Sequence, residues 1–398
     1  MKPEKIRPAR RTRDITYAVR DVVALAQETA KTGREMLYLN IGDPNKFDFT
    51  TPPHLIEVVL KAMRDNHNGY SPSSGIPAAV KAVEKDSAAK GIRNIRDVFI
   101  TSGGSEAIEI ALTALVDRGD NVLIPYPGYP LYEAVLAKLE AEARPYFLDE
   151  SKGWLPDLDD IRSRIDSKTR AIVLINPNNP TGAVYPRELL RCILALAAEK
   201  GILVFSDEIY DRLVLDTVEP VSIASLDSEA PVLTFNGLSK GFLAPGWRMG
   251  WGVASGNGEI LKDYLAGVNK ILRARLCASH PMQHAVAAAL EGEKAFLAQT
   301  REKLRRRRDI TCEMLNGPGI STVRPQAAFY AFPKLDIQGT DEDFVKKLIQ
   351  ETGVVTVHGS GFGQKPGSKH LRVVFLPSED VLRKAYGNLL EFLKTHRR

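Results

Sequence analysis

The chain has 398 residues, of which 44% are hydrophobic and 26% charged, an ordinary composition for a globular enzyme with a large core. Its net charge of +5 is small for this length and gives no case for a nucleic-acid partner. No apolar run approaches the roughly 18 residues of a membrane span. Three cysteines are widely spaced without a CxxC pair, which favours a reducing compartment, so we expect a cytoplasmic protein.

The N-terminal region predicts a helix over 17–32 and then an apolar run at 36–44. From about residue 97 to 255, short β-rich runs alternate with helical patterns, which predicts a mostly parallel sheet with helices on both faces. The predicted strands are 97–101, 121–126, 143–148, 171–176, 202–207, 232–237 and 249–255, and the helices between them include 105–116 and 187–200.

The pattern changes after about residue 290, where a smaller α/β unit is predicted. Its elements are a long charged helix (291–315), strands near 354–360 and 371–375, and helices at 341–352 and 378–395. We expect the Arg305–Arg308 run to form an exposed charged face of the long helix. The predicted domains are a large one over 51–290 and a discontinuous small one built from 1–50 and 291–398.

Polar motifs follow the predicted strands, at the edge where α/β sheets bind ligands. A Ser-Gly-Gly-Ser turn precedes the helix 105–116, so the backbone of Gly103, Gly104 and Ser105 can cradle a phosphate, although a purely structural turn is as consistent with the residues. Asp207 ends an apolar strand and needs a partner for its carboxylate, and Tyr210 lies three residues later. A helix N-cap and a packed aromatic residue are the alternatives for these two.

The run 171–182 ends a strand in two Asn-Pro steps. Prolines fix the turn, so one amide among Asn176, Asn178 and Asn179 is available to bind a ring or a substrate oxygen. Here the functional interpretation is preferred over a plain turn.

Three further positions carry either a chemical or a structural interpretation. Tyr129 follows a strand, where it can stack on a flat heterocycle or pack in the core. Arg372 lies inside an apolar strand, where a bidentate clamp on a carboxylate and an internal ion pair are both consistent. Lys240 leaves a strand eight residues before Arg248, a pair that suits an aldehyde cofactor carrying a phosphate, although Lys240 alone is better explained as a surface lysine.

The motifs NPNNPTG (176–182), SDEIYD (206–211) and SKGFLAPGWRMGW (239–251), in this order, resemble those of the fold-type I, class I/II aminotransferases, which depend on pyridoxal 5′-phosphate (PLP). The resemblance implies that Lys240 carries PLP as a Schiff base and that Asp207 pairs with its ring nitrogen; with Tyr210 these are the implied catalytic residues. The other implied PLP contacts are Tyr210 and Asn179 at the 3-oxygen, Gly104, Ser105, Ser239 and Arg248 at the phosphate, and Tyr129 at the ring.

The resemblance also implies substrate contacts and a homodimer with shared active sites. Arg372 and Asn179 would bind the α-carboxylate, Gly42 would lie against it, and Tyr17 would close over the substrate. Tyr70 would reach the phosphate of the neighbouring subunit. One departure is Gly237, because many relatives have a phosphate-binding serine three residues before the lysine.

Within the family the chain is most similar to the alanine aminotransferases, so the expected reaction moves an amino group from L-alanine to 2-oxoglutarate. Alternatives are an aspartate, aromatic or 2-aminoadipate donor, a PLP-dependent C–S lyase, and a non-catalytic sensor with this fold. No metal, nucleic-acid or membrane partner is expected.

Overall fold

The structure is a computed structural model that describes residues 6–15 and 18–397. The helices are α1 (Ala18–Ala30), α2 (Pro53–Arg64), α3 (Pro77–Ala89), α4 (Gly104–Leu115), α5 (Leu131–Lys138), α6 (Leu158–Arg164), α7 (Arg187–Lys200), α8 (Gly258–Ala274), α9 (His280–Glu291), α10 (Ala295–Met314), α11 (Asp341–Thr352) and α12 (Glu379–His396). The strands are β1 (Leu37–Tyr38), β2 (Ile95–Thr101), β3 (Asn121–Tyr126), β4 (Glu142–Asp149), β5 (Leu155–Pro156), β6 (Thr169–Ile175), β7 (Leu203–Asp207), β8 (Val232–Gly237), β9 (Gly250–Ser255), β10 (Ile320–Ser321), β11 (Tyr330–Ala331), β12 (Lys334–Leu335), β13 (Val354–Val355), β14 (Val357–His358) and β15 (Leu371–Val374).

An eight-stranded sheet forms the centre, in the order β2-β9-β8-β7-β6-β3-β4-β5. Its inner strands run parallel, whereas β9 is antiparallel to β2 and β8, and β5 is antiparallel to β4. Alternate residues enter opposite cores: Val204 and Val232 pack on one face, and Phe205 and Leu233 on the other. Both faces are therefore covered, which explains why the central strands, such as β6, are rich in apolar residues. The predicted mostly parallel α/β sheet is confirmed.

Local signals set the ends of α11 and place its neighbour. The Thr340 hydroxyl accepts a hydrogen bond from the Asp343 backbone N–H at the start, and Gly353 ends the helix with φ of 76°. A Cβ on Gly353 would collide with the carbonyl oxygen of Glu35. Glycine here therefore lets β1 approach β13 closely.

The run 36–44 joins the C-terminal part of the chain. Strand β1 pairs in parallel with β13, with Leu37 opposite Val354. A small antiparallel sheet, β11-β15-β14, lies in the same region and carries Arg372. The domain boundaries at residues 50 and 290 stay a prediction.

The charged helix differs from its prediction in two ways. It begins at Ala295, because α9 ends at Glu291 and Gly292 follows. The expectation of an exposed arginine face was wrong for Arg307 and Arg308, which are buried. Arg308 is 0% exposed and donates to Asp216 at 2.6 Å and to the carbonyl of Pro325 at 3.1 Å. Buried guanidinium groups of this kind are stabilised by paired acceptors that the chain brings from distant segments.

Within residues 6–15 and 18–397, no helix combines the length and the apolar character that crossing a membrane requires.

Candidate active site

The carboxyl ends of the parallel strands meet at one edge of the sheet and bring the polar motifs together. Asp207 is the last residue of β7, and Lys240 follows the end of β8 by three positions. The neighbouring strand β9 runs the opposite way, so its start lies at this same edge, and Arg248 precedes it by two residues. The order and direction of β7, β8 and β9 therefore bring these three residues together at one site.

Asp207 is a buried acid with neutral hydrogen-bond donors. Its side chain is 5% exposed and accepts hydrogen bonds from the hydroxyl of Tyr132 and the backbone N–H of Ile209, both at 3.3 Å. Burial raises the pKa of Asp207 to about 6, against the lowering effects of these two donors and of Lys240. At neutral pH the site therefore holds a buried carboxylate, which a cationic ligand would stabilise.

The amine of Lys240 lies in the same pocket and is held by backbone. Its Nζ donates a hydrogen bond to the carbonyl oxygen of Gly42 at 2.7 Å and lies 5.7 Å from the centre of the Phe329 ring. Burial lowers the pKa of Lys240 to about 8, with Asp43 acting against it and Arg372 adding to it. An amine with this pKa is substantially neutral near pH 8 and can act as a nucleophile or base.

Tyr210 lies beside Tyr330, and their hydroxyls are hydrogen-bonded at 2.9 Å. Burial raises the pKa of Tyr210 well above its ordinary value, with contributions from Tyr330 and Tyr129, while Arg372 lowers it. A Cβ on Gly42 would collide with the Tyr330 hydroxyl, so the glycine lets the chain pass close to this pair.

Arg372 is 3% exposed and has a fixed orientation. It donates to Oδ1 of Asn179 at 3.2 Å and to the carbonyl oxygen of Asn40 at 2.6 Å. Its guanidinium lies 4.6 Å from the ring centre of Tyr330 and 4.4 Å from that of Phe362. This arrangement suits the bidentate binding of a ligand carboxylate.

The asparagine side chains in the segment with the two Asn-Pro steps have different hydrogen-bond partners. Oδ1 of Asn176 accepts from the backbone of Tyr185 at 2.9 Å, and Oδ1 of Asn178 accepts from Thr181. These two side chains hold the turn. Asn179, by contrast, contacts Arg372 and so is the amide that the turn presents to the site.

The Gly-rich turn begins α4 and lies against Arg248. Gly103 has φ of 87°, and a Cβ there would collide with the guanidinium of Arg248. Gly104 and Ser105 form the first turn of the helix, where backbone N–H groups lack intrahelical acceptors. The exposed Arg248 side chain, which donates to Pro245 at 3.1 Å, adds positive charge to this helix start. The combination is suited to a phosphate.

The presence of glycine at position 237, where many relatives have a phosphate-binding serine, has a steric explanation. A Cβ at this position would lie 2.6 Å from the carbonyl oxygen of Met249 in the neighbouring strand. A serine at this position therefore does not fit without a shift of β9.

The remaining predicted residues are placed as follows. Ser239 is buried next to Lys240 in the chain, and Tyr129 lies close enough to Tyr132 and Tyr210 to contribute to their raised pKa values, which burial dominates. Tyr70 is 84% exposed and is not brought to the site by its own chain. Tyr17 lies outside the described residues.

Sequence reasoning missed three contributors. Tyr132 holds Asp207, Tyr330 holds Tyr210 and stacks on Arg372, and Asn40 offers only its carbonyl. The aromatic run AFYAF (328–332) could have indicated Tyr330. The backbone carbonyl of Asn40 could not be predicted, because every residue has one.

The comparisons with known proteins agree with this geometry. Residues 34–389 match the family model "Aminotransferase class I and II". A glutamate-pyruvate aminotransferase of Haemophilus influenzae is 38% identical over 374 residues, 92% of each chain. An alanine aminotransferase of Mycobacterium tuberculosis is 38% identical over 395 residues, covering 96% of this chain and 92% of the relative.

Solved structures give the same result. An alanine aminotransferase from Pyrococcus furiosus superimposes with a TM-score of 0.94 at 40% identity, covering 98% of this chain and all of that one. The fold is therefore that of the fold-type I enzymes, and the chain belongs to the aminotransferases of class I and II.

Proposed function

We propose that this chain transfers the amino group of L-alanine to 2-oxoglutarate, giving pyruvate and L-glutamate, with PLP as cofactor. The observation that carries the proposal is the pocket in which a buried amine, Lys240, lies beside a buried acid, Asp207, with a fixed guanidinium at Arg372. The names of the similar proteins from H. influenzae, M. tuberculosis and P. furiosus support alanine as the donor.

The residues of the site fit PLP. Asp207 is buried with only neutral hydrogen-bond donors, which suits a protonated ring nitrogen. The start of α4, with Gly104 and Ser105, and Arg248 suit the phosphate, and Ser239 lies nearby in the chain. We propose the 3-oxygen contacts for Tyr210 and Asn179, and the ring contact for Tyr129. When bound, PLP supplies an aldehyde that links to amines and a ring that accepts electron density from the substrate carbon.

Lys240 is proposed as the base that moves the proton at the substrate α-carbon. Because burial lowers its pKa to about 8, the amine is partly neutral at physiological pH and can accept a proton. The carbonyl of Gly42 accepts a hydrogen bond from Nζ and so limits the positions that the amine occupies. Asp207, a carboxylate above its pKa of about 6, would stabilise positive charge on the bound ring.

Arg372 and Asn179 are proposed to bind the α-carboxylate shared by both amino acid and oxo acid. Arg372 is already oriented by Asn40 and by two aromatic rings, so little side-chain entropy is lost on binding. Gly42 is proposed to lie against this carboxylate. Tyr17, whose structure is not described, is proposed to close over the substrate.

The reaction is tested with a donor panel. Purified chain would be assayed with alanine, aspartate, glutamate, phenylalanine or 2-aminoadipate, with pyruvate or 2-oxoglutarate as acceptor. The proposal expects alanine with 2-oxoglutarate to have the highest kcat/KM among donors. Pyruvate and ammonia released continuously from cystathionine, without an oxo acid, would instead identify a lyase.

A matched pair of variants tests the role of Lys240. Lys240→Ala should lose transamination and the visible absorbance of the bound cofactor, whereas Lys262→Ala, on an exposed side chain of α8, should keep both. Turnover retained by Lys240→Ala contradicts the proposal.

A homodimer with shared sites is also proposed. Tyr70 is exposed, and α2 presents Ile56, Leu60 and Met63 on its outward face at spacings of four and three residues. Apolar side chains aligned in this way favour burial against a partner. Tyr70 would then reach the phosphate site of the neighbouring subunit.

Mixed dimers test this arrangement. Chains carrying Tyr70→Ala and chains carrying Lys240→Ala would each be nearly inactive alone. If Tyr70 serves the partner, a mixed dimer contains one intact site and regains activity. If Tyr70 serves its own subunit, each site of the mixed dimer lacks one residue and activity is not regained.

The free, widely spaced cysteines support a proposed cytoplasmic location.

A further inference from the structure

Three of the seven histidines meet between the segment that follows α2 and the start of α9. His280 and His284 are four residues apart on α9 and so share one face of the helix. His67 comes from the segment after α2. Each side chain offers a ring nitrogen, and the three nitrogens lie within 4.8 Å of one another. None of the three has a role in the active site described above.

We propose that His67, His280 and His284 bind a divalent transition-metal ion, with Zn²⁺ as the ion that best fits three imidazole ligands. Imidazole nitrogen is a preferred ligand of Zn²⁺, which binds through three protein ligands and a water where the fourth position is open. Two ligands on one helix at a spacing of four and a third from a loop form a compact set.

The separations of the rings agree with such a site. Ring centres lie 4.6 Å apart for His67 and His284, 5.5 Å for His67 and His280, and 5.7 Å for His280 and His284. With Zn–N bonds of about 2.0–2.1 Å, three imidazoles around a tetrahedral ion have ring centres roughly 5 Å apart. Only small side-chain rotations, chiefly of the exposed His67, are needed to bring the nitrogens to bonding distance.

A contact with the backbone holds the ring of His280. Its Nδ1 lies 2.9 Å from the carbonyl oxygen of Gly69, and because a carbonyl only accepts, Nδ1 carries the proton. Nε2 is then the unprotonated nitrogen. Metal-binding histidines commonly hold their second nitrogen in this way, which fixes the tautomer and the ring direction.

His284 supplies a second indication. Its Nε2 is buried and has no hydrogen-bond partner among the described residues, an uncommon state for a buried polar atom. Burial lowers the pKa of His284, as do His67 and His280, while Asp65 raises it.

An ion at this position would cross-link the segment around residues 65–69 to α9. Because a ligand that binds only the folded chain raises its stability by mass action, bound Zn²⁺ should also raise the melting temperature. This readout is independent of transamination.

The site is tested by titrating Zn²⁺ into the cofactor-loaded chain, expressed without a polyhistidine tag, in isothermal calorimetry. The expected result is one ion per chain, with an affinity that falls at least about tenfold in His67→Gln and in His284→Gln. His54→Gln, which removes a histidine outside the cluster, should bind as the unmodified chain does. Transamination activity and circular dichroism of each variant report whether it is folded.

Two results would overturn the proposal: no Zn²⁺ binding by the unmodified chain, or undiminished binding by the double variant His67→Gln/His284→Gln. Should His284→Gln fail to fold, the exposed His67 still decides the question. Zn²⁺ must then raise the melting temperature of the unmodified chain and of His54→Gln, but not that of His67→Gln.

Discussion

Replacing Asp207 with asparagine is expected to stabilise the cofactor-free chain while removing most of its activity. The side chain is buried, and its two carboxylate oxygens accept separately from the Tyr132 hydroxyl and from the Ile209 backbone N–H. In asparagine the amide oxygen can accept from Ile209, and the amide NH₂ can donate to the Tyr132 hydroxyl oxygen. The change therefore removes a buried charge without leaving a cavity. In the loaded enzyme the same charge would pair with the cofactor, by the role that we propose for Asp207.

The magnitude follows from the pKa of Asp207, which burial raises from 3.8 to about 6. A raised acid pKa means that the folded chain holds the proton more tightly than the unfolded chain does. Stability from this group is therefore greatest at low pH and falls as pH rises between about 4 and 6. Above both values the shift of about 2.2 units corresponds to about 3 kcal/mol. Asp207→Asn should recover up to this amount at pH 8 and roughly half of it at pH 5.

The assay is urea unfolding of cofactor-free chains at both pH values, followed by circular dichroism. The same pair of proteins loaded with PLP is the control, and there the order of stability should reverse. Transamination by Asp207→Asn should fall by at least about 100-fold, because the compensating charge opposite the ring is lost. A cofactor-free variant that is no more stable than the unmodified chain at pH 8 would refute the reasoning, since Asp207 would then already be stabilised within the chain.

Three further outcomes follow from the site. Gly42→Ala should lower the free energy of unfolding by about 1–3 kcal/mol and should also lower kcat/KM, because the added methyl group displaces Tyr330. As a control, Gly387→Ala lies on an exposed helix face with open space around it. It should leave activity unchanged and add up to about 1 kcal/mol to the free energy of unfolding. Arg372→Lys keeps the charge but loses the planar guanidinium that binds a carboxylate through two hydrogen bonds. The kcat/KM values for alanine and for 2-oxoglutarate should therefore both fall roughly 30-fold, or about 2 kcal/mol. A loss for only one of the two substrates would contradict a shared carboxylate site. PLP loading onto the cofactor-free chain, followed by visible absorbance, should speed up as pH rises through about 8, where Lys240 becomes neutral. The side-chain amine of Nα-acetyl-lysine amide should instead require a pH above about 10. Identical pH profiles for the chain and for this compound would disprove the lowered pKa.

Strand positions could be predicted because the sheet is covered on both faces. Continuous apolar runs such as 121–126 and 232–237 coincide with β3 and β8 to the residue. The burial of Arg308 could not be predicted, because its acceptors, Asp216 and Pro325, come from distant segments that only the fold assembles. A charged run within a helical pattern has the same appearance whether water or protein surrounds it.

The site was predictable where the chemistry resides in side chains that follow strands. Asp207 and Lys240 come together because β7 and β8 are parallel neighbours. The carbonyls of Asn40 and Gly42 could not be found in this way, since any residue supplies a carbonyl. The residues that Tyr70 would contact in a partner subunit likewise could not be predicted from the sequence, because an exposed tyrosine does not indicate which residues lie next to it.

The hydrogen bond between Arg372 and the carbonyl of Asn40 joins residues 332 positions apart. During synthesis, the strand β15 that carries the arginine emerges after nearly all of the chain. A growing chain can therefore complete the central sheet, and even position Lys240, long before the carboxylate site that we propose at Arg372 exists. On that proposal, affinity for amino acids is acquired in the last moments of synthesis.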